Sequence, residues 1–418
     1  MKKNDRPTCA LSLKRGVDLK IYWTDIAWVA SIGALFVICI ELFYRMIVNY
    51  NGVYGSDMRY YAVKIVEEEF IADRIVEKLS QLFYSINQST MEFNIYLAAV
   101  VAGIVVANFL VIRFYLKRDE MLGTVPRYLA QAASLAALFT GPVYVPVLHE
   151  YYYRHSFEAF AWHNPTQQTM MLLSLPAILC FLKMYLDHEE GVSPVWWAAT
   201  SILMLLSAAA KPSFIIDMVV CVVVMFLIDL FSGEKETMLT RFRRLFVMGC
   251  SLIPAGLYTL WLNSKEFGED TLNGGEYYVV FGLKALRDHP DFLSMMLFGM
   301  AFSIVVTAVN FRRFRDSKYF LALMLFITGF LQWALISETG ERANHGNFSW
   351  GRMFGSYYLA LICLTLLLEN ICDRDSVFPG RPRARKIYLV IACIVLAMSV
   401  LSQLNYFKLI LTGHGYMR

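Results

Sequence analysis

The chain has 418 residues, of which 57% are apolar and only 17% charged, with a net charge of +4. A soluble domain carries about 25% charged residues, so the composition excludes an ordinary soluble enzyme, and a balance this close to neutral gives no reason to expect a nucleic-acid partner. Apolar runs of about 20 residues recur along the chain and specify an all-α polytopic membrane protein.

The basic start, Lys2, Lys3, Arg6, Lys14, Arg15 and Lys20, leads into a full-length span, so a cleavable signal peptide is not expected. About eleven transmembrane helices are expected, at 24–48, 94–116, 126–148, 166–186, 194–210, 213–231, 245–262, 291–310, 319–336, 353–371 and 387–409. Only Lys211-Pro212-Ser213 joins the fifth to the sixth, so 194–231 reads either as two spans or as one broken helix. No internal repeat is evident, and 1–418 reads as a single integral membrane domain.

Charge sets the expected orientation. With the N-terminus cytoplasmic, 24 of the 38 Lys and Arg fall on inner segments, including Arg312-Arg313-Phe314-Arg315 and the run from Arg381 to Lys386. That is the positive-inside pattern, and it puts the C-terminus outside. All eight cysteines fall in spans or inside, with no CxxC spacing. Six of the seven histidines (His149, His155, His163, His289, His345 and His414) fall on or near the outer face, which makes it the expected working face.

The first outer loop carries Asn51-Gly-Val-Tyr-Gly-Ser-Asp-Met-Arg-Tyr-Tyr61. Ser56 suits a helix N-cap, and Asp57 falls in the first turn, where the helix dipole favours an acid. Val63, Val66, Phe70, Ile75, Leu79, Leu82 and Phe83 then recur at helical spacing, with Glu67, Glu68, Asp73, Glu77 and Lys78 mostly on another face. This predicts an amphipathic interfacial helix over 57–85, with Asp57 near the lipid headgroups either as a helix starter or as a catalytic carboxylate.

The second outer loop gathers His149, Glu150, Arg154, His155 and His163 before Asn164-Pro165, a cap and first turn for the fourth span. Its spacing matches no closed metal-ligand set, so no metal or other cofactor is assigned. Lys211 either snorkels outward or contacts a phosphate from above, while Glu41 and Arg45 form a structural pair four residues apart. The stretch 337–352 is the densest polar cluster in the chain. Arg342 and Arg352 can fork onto a phosphate, His345 adds a further cation, and Phe348 and Trp350 offer flat faces to a sugar. It is expected to form a polar outer loop over the site.

A first span, a short loop with an acid, an interfacial helix, short inner loops and cationic outer ones together resemble the GT-C superfamily of polytopic glycosyltransferases. Gly55-Ser56-Asp57-Met58-Arg59-Tyr60-Tyr61 and the helix to about Ser85 carry the resemblance. The second acid that the superfamily often places beside the first is absent, and so is a WWDYG-like motif, which argues against an oligosaccharyltransferase. The resemblance implies inverting transfer of a sugar from a polyprenyl-phosphate-linked donor to a glycan, lipid or protein acceptor at the outer leaflet, and the short loops with no retention signal lead to the expectation of a bacterial plasma membrane. Asp57 would be the catalytic base. Arg342, His345, Arg352 and Lys211 would hold the phosphate, with Arg154 and His163 behind them and Trp350 and Tyr61 completing the binding set. Two other readings stand beside it: an O-antigen-type polysaccharide polymerase or ligase, which the Arg342 to Arg352 stretch would suit with Asp57 secondary, and a transporter or flippase of lipid-linked glycans, which inverted repeats and broken helices would mark.

Overall fold

A computed structural model describes residues 9–13, 17–48, 57–67, 91–145, 147, 160–187, 191–232, 237–267, 279–289, 291–339, 346–373 and 376–413, with positions 78, 81, 82 and 84. The chain opens with an antiparallel ribbon of β1 (Cys9–Leu13) and β2 (Val17–Ile21). Helix α1 (Trp23–Val48) follows, then α2 (Asp57–Glu67), α3 (Met91–Arg118) and α4 (Arg127–Ala136). Next come α5 (Pro165–Leu186), α6 (Pro194–Ala210), α7 (Ser213–Ser232), α8 (Met238–Cys250) and α9 (Ile253–Phe267). Strand β3 (Val279–Phe281) precedes three short helices, α10 (Lys284–Asp288), α11 (Phe292–Gly299) and α12 (Ala301–Val309). Helix α13 (Ser317–Leu335), strand β4 (Ile336–Glu338), α14 (Ser349–Cys372) and α15 (Pro382–Leu411) complete the chain.

Among the described residues, seven helices are long and apolar enough to cross a membrane: α1, α3, α5, α7, α13, α14 and α15. Two bent pairs, α8 with α9 at 48° and α11 with α12 at 71°, bring the total to nine if each is one span. Nine of the eleven expected segments coincide with these helices and bent pairs, and two fall short of a full span. Helix α6 is only 17 residues long. The segment expected at 126–148 gives ten residues of α4, a 3-10 turn at Ala137–Phe139, and irregular chain over 140–145. Pro142 explains the break, because it lacks an N–H and disfavours helix at Gly141. Partners from α15 and α11 satisfy the freed backbone: Gly141 N–H donates to Ser399 Oγ at 2.8 Å, Tyr144 N–H to Ser402 Oγ at 3.0 Å, and Val143 N–H to the Phe298 carbonyl at 3.0 Å. Irregular backbone in an apolar medium persists only when it is satisfied in this way.

Helix α14 is the axis of the fold. Every residue from Ser349 to Asn370 is buried, as suits a helix apolar on all sides. Its closest neighbour is α13, and glycines set the spacing. A Cβ on Gly329 would lie 2.5 Å from the Arg352 nitrogen, and one on Gly355 would lie 2.6 Å from the Leu325 carbonyl oxygen. Small residues at such crossings let two backbones touch, which replaces the hydrophobic driving force that lipid cannot supply.

The ends of the helices fall into two groups. At one end Asp119 accepts from Arg313 and Lys318, both at 2.5 Å, and from the Tyr319 hydroxyl. Arg313 reaches on to Glu369 at 3.0 Å. Burial would raise the Asp119 carboxyl, but the bonds from Lys318 and Tyr319 and the Arg313 charge outweigh it and hold it below its ordinary value. Nearby, Asp187 ties the end of α5 to Arg118 at 2.7 Å and to Lys183. Arg385 donates to the carbonyls of Asn370 at 2.7 Å and Ile371 at 3.1 Å, which closes the C-terminus of α14. The basic residues expected to be simple inner anchors thus also lace the helices together. At the other end Arg45 pairs with Glu41 at 2.6 Å and donates to the Leu411 carbonyl at 2.6 Å. Asp57, the start of α5, Lys211 and the start of α14 also lie at this end.

Candidate functional site

The site begins with a short segment before α5. Trp162 is wedged among Phe139, Phe160 and Phe407, with ring centroids 5.9, 4.3 and 4.4 Å away. Gln168, one turn into α5, donates from Nε2 to the carbonyls of Ala161 at 3.1 Å and Trp162 at 2.9 Å. These contacts leave His163 and Asn164 little freedom, and both are buried.

Asn164 is the N-cap of α5, and its Oδ1 accepts from the Gln167 backbone N–H and the Thr166 hydroxyl, each at 2.8 Å. Capping fixes the orientation of the amide, so Nδ2 must point away from the helix. It donates to Asp57 Oδ2 at 2.6 Å. Asp57 opens α2 and is partly exposed, and among the described residues its Oδ1 accepts no hydrogen bond.

Lys211 comes from the break between α6 and α7. Its Nζ reaches Asn164 Oδ1 at 3.4 Å and Thr166 Oγ1 at 3.3 Å, and it lies 3.8 Å from the centre of the Trp350 ring. A half-buried ammonium over an indole face gains on the order of 1–2 kcal/mol. Trp350 is held in turn: its carbonyl accepts from Gln167 Nε2 at 3.2 Å, and its ring lies 5.8 Å from that of His163.

The start of α14 differs from the expected loop. Ser349, Trp350, Gly351 and Arg352 form its first turn and are buried. The apolar run that follows draws the helix back into the polar stretch, because Met353 and Phe354 need the same packed environment as the residues after them. Arg352 is only 1% exposed, and its guanidinium carbon stands 4.7 Å over the Trp333 ring. Behind the turn, a Cβ on Gly351 would overlap the buried Asp217 carboxylate and lie 2.7 Å from Gln332 Oε1. The bare glycine lets α7 seat against α14.

Of the residues singled out in the sequence, Asp57, His163, Lys211 and Trp350 therefore converge around Asn164, while Arg352, two positions along α14 from Trp350, stacks on Trp333. Tyr61 is buried in the hydrophobic core one turn along α2, edge-on to Tyr60. Arg154, Arg342 and His345 lie outside the described residues, as does the interfacial helix beyond Glu67 apart from isolated positions. Sequence reasoning gave Asn164 only its capping role. Its second role depends on Asp57, 107 positions away, and no local pattern signals that. Among the described residues no three His, Cys, Asp or Glu side chains gather to hold a metal ion.

The arrangement sets a carboxylate and an ammonium on opposite ends of one amide, with the ammonium over an indole face. Such a site can accept a proton from a hydroxyl at one point and oppose negative charge at another. The chain matches no family model and no curated protein sequence.

Proposed function

We propose that the protein is an inverting glycosyltransferase that moves a sugar from a polyprenyl-phosphate-linked donor to an acceptor hydroxyl at the extracytoplasmic face of a plasma membrane. The observation that carries this reading is the meeting of Asp57 and Lys211 on Asn164. Asp57 takes the proton as the acceptor oxygen attacks the anomeric carbon. The bond from that carbon to the phosphate oxygen breaks on the opposite face, and its electron pair leaves with the phosphate. Because phosphate leaves well, the carboxylate base and fixed cations suffice. Lys211 and Arg352 are the described cations, and Arg342 and His345 extend the set. Asn164 holds Asp57 Oδ2 and leaves Oδ1 to meet the hydroxyl.

Asp57→Asn keeps size and hydrogen bonding but removes the base. In membranes supplied with undecaprenyl-phosphate-linked sugars, the reading expects the native protein to release undecaprenyl phosphate and the variant to release almost none. Full turnover by the variant would overturn it, and would favour the polymerase or ligase reading with its arginines and histidine.

One observation favours a transporter instead. The 71° break at Met300 lies beside the irregular segment 140–145, and discontinuous helices often build substrate paths in transporters. Movement of a fluorescent polyprenyl-phosphate sugar across proteoliposomes, unaffected by Asp57→Asn, would support that reading.

A further inference from the structure

A separate cleft of about 370 Å³ opens beside the site, between α10, the end of α13 with β4, and the residues leading into α14. We propose that this cleft is a binding subsite for a neutral sugar unit, distinct from the phosphate-holding group around Lys211.

Among the described residues, the lining points to one ligand class. Lys284 and His289 contribute donors, Asp288 and Glu338 contribute carboxylates, and Ser337, Asn347 and Ser349 offer both functions. Charges of both signs disfavour a simple anion, because the two carboxylates would oppose it. They disfavour a simple cation for the converse reason. An acyl chain would press hydrocarbon against these polar groups and offer them no hydrogen bond. A polyhydroxylated ring matches such mixed donors and acceptors, and the Phe348 and Trp333 rings in the wall can pack against its C–H face. The volume falls near the low end of small-molecule clefts, about 300–1,000 Å³, and suits one or two sugar rings.

The wall is built before any ligand arrives. Strands β3 and β4 pair Val279 with Glu338, and the Gly282 N–H bonds the Leu335 carbonyl at 2.8 Å. Glu338 is buried, with its Oε2 held by Asn347 Nδ2 at 2.7 Å. Groups fixed this firmly lose little entropy on binding.

Position supplies the link to function. Ser349 lines the cleft, and its neighbour Trp350 lies under Lys211. Trp333 lines the cleft too and stacks under Arg352. The first turn of α14 is therefore a partition with the cleft on one side and the Asp57 group on the other. Assigning the sugar as the acceptor rests on the transferase reading; the cleft as a sugar site does not.

The test uses the full chain in nanodiscs and the methyl glycosides of glucose, galactose, mannose, arabinose and N-acetylglucosamine. Binding is followed by saturation-transfer NMR and tryptophan fluorescence. At least one glycoside should saturate at millimolar concentration. Phe348→Ala and Asn347→Ala should each weaken it about tenfold, with Lys284→Gln as the check should either variant unfold, and Asp57→Asn should bind it as the native protein does. The proposal is overturned if no glycoside saturates, or if Asp57→Asn abolishes binding while the cleft variants keep it. Turnover then separates the two readings. Glycoside binding with full Asp57→Asn activity removes the transferase reading and leaves the sugar site. A raised acceptor KM in Phe348→Ala at unchanged donor KM joins them.

Discussion

Asn164 Nδ2 lies 2.6 Å from Asp57 Oδ2, so one hydrogen bond joins the cap of α5 to the first turn of α2. The same side chain accepts the Gln167 N–H at 2.8 Å, and substitutions can separate these roles. Asn164→Ser should keep the cap but is too short to hold Asp57. Asn164→Ala loses both roles, and loss of a cap costs about 1 kcal/mol. Thermal unfolding should therefore place the Ser variant near the native protein and the Ala variant below it. Turnover on the transferase reading should fall in both to a similar extent. Equal unfolding with unequal turnover would argue against this division.

The long apolar helices were legible in the sequence because lipid demands continuous apolar stretches; α3, α5 and α7 begin and end within a few residues of their expected limits. What was not legible came from two physical sources. Polar residues near the start of α14 suggested a loop, but burial by neighbouring helices outweighs local polarity, and Arg352 is accommodated by Trp333. The break after α4 needed Ser399 and Ser402 from a helix more than 250 positions away. In the candidate site, Asp57, Lys211 and Trp350 could be picked by residue type and place. The amide that joins them could not.

Gly351 should tolerate no side chain. Its Cβ would meet the Asp217 carboxylate and lie 2.7 Å from Gln332 Oε1, and overpacking of this kind costs about 1–3 kcal/mol. Gly33, in α1, has nothing within 4 Å of its Cβ position, so Gly33→Ala should be neutral or stabilising by up to about 1 kcal/mol. Adding Asp217→Ala to Gly351→Ala should recover part of the loss, and a double-mutant cycle measures that coupling. Simple additivity would mean that the carboxylate is not what the Cβ meets.

The polar cluster around Asp119 predicts an acid limb in stability. Its carboxyl is held below the ordinary value because Lys318, Tyr319 and Arg313 outweigh the effect of burial. A depressed carboxyl binds fewer protons in the folded state than in the unfolded one. Its contribution is complete above the unfolded value, 3.8, and is lost as pH falls through the lower folded value. The difference in unfolding midpoint between the native protein and Asp119→Asn should hold steady from pH 7 to about pH 5 and then narrow. Asp119→Asn should be less stable at pH 7 and should show a shallower fall, with the part due to Asp187 remaining. An unchanged slope would remove Asp119 from the acid response.

Lys211 has two possible uses, and they predict different measurements. As a structural cation, its Nζ at 3.8 Å over Trp350 contributes on the order of 1–2 kcal/mol to packing. As a group that opposes the departing phosphate, it acts where charge develops, and losing such a contact costs about 10²–10³ in kcat. Lys211→Met keeps most of the length and the apolar stem but removes the charge. Lys211→Arg keeps the charge on a broader head. On the transferase reading, Met should lower kcat about 10²-fold or more with only a modest change in unfolding temperature, and Arg should restore much of the rate. If Lys211 merely anchors α6 and α7 to Trp350, Met will lower the unfolding temperature and leave kcat near the native value. The ratio of the two effects, not the size of either, shows whether the ammonium serves the packing or the reaction.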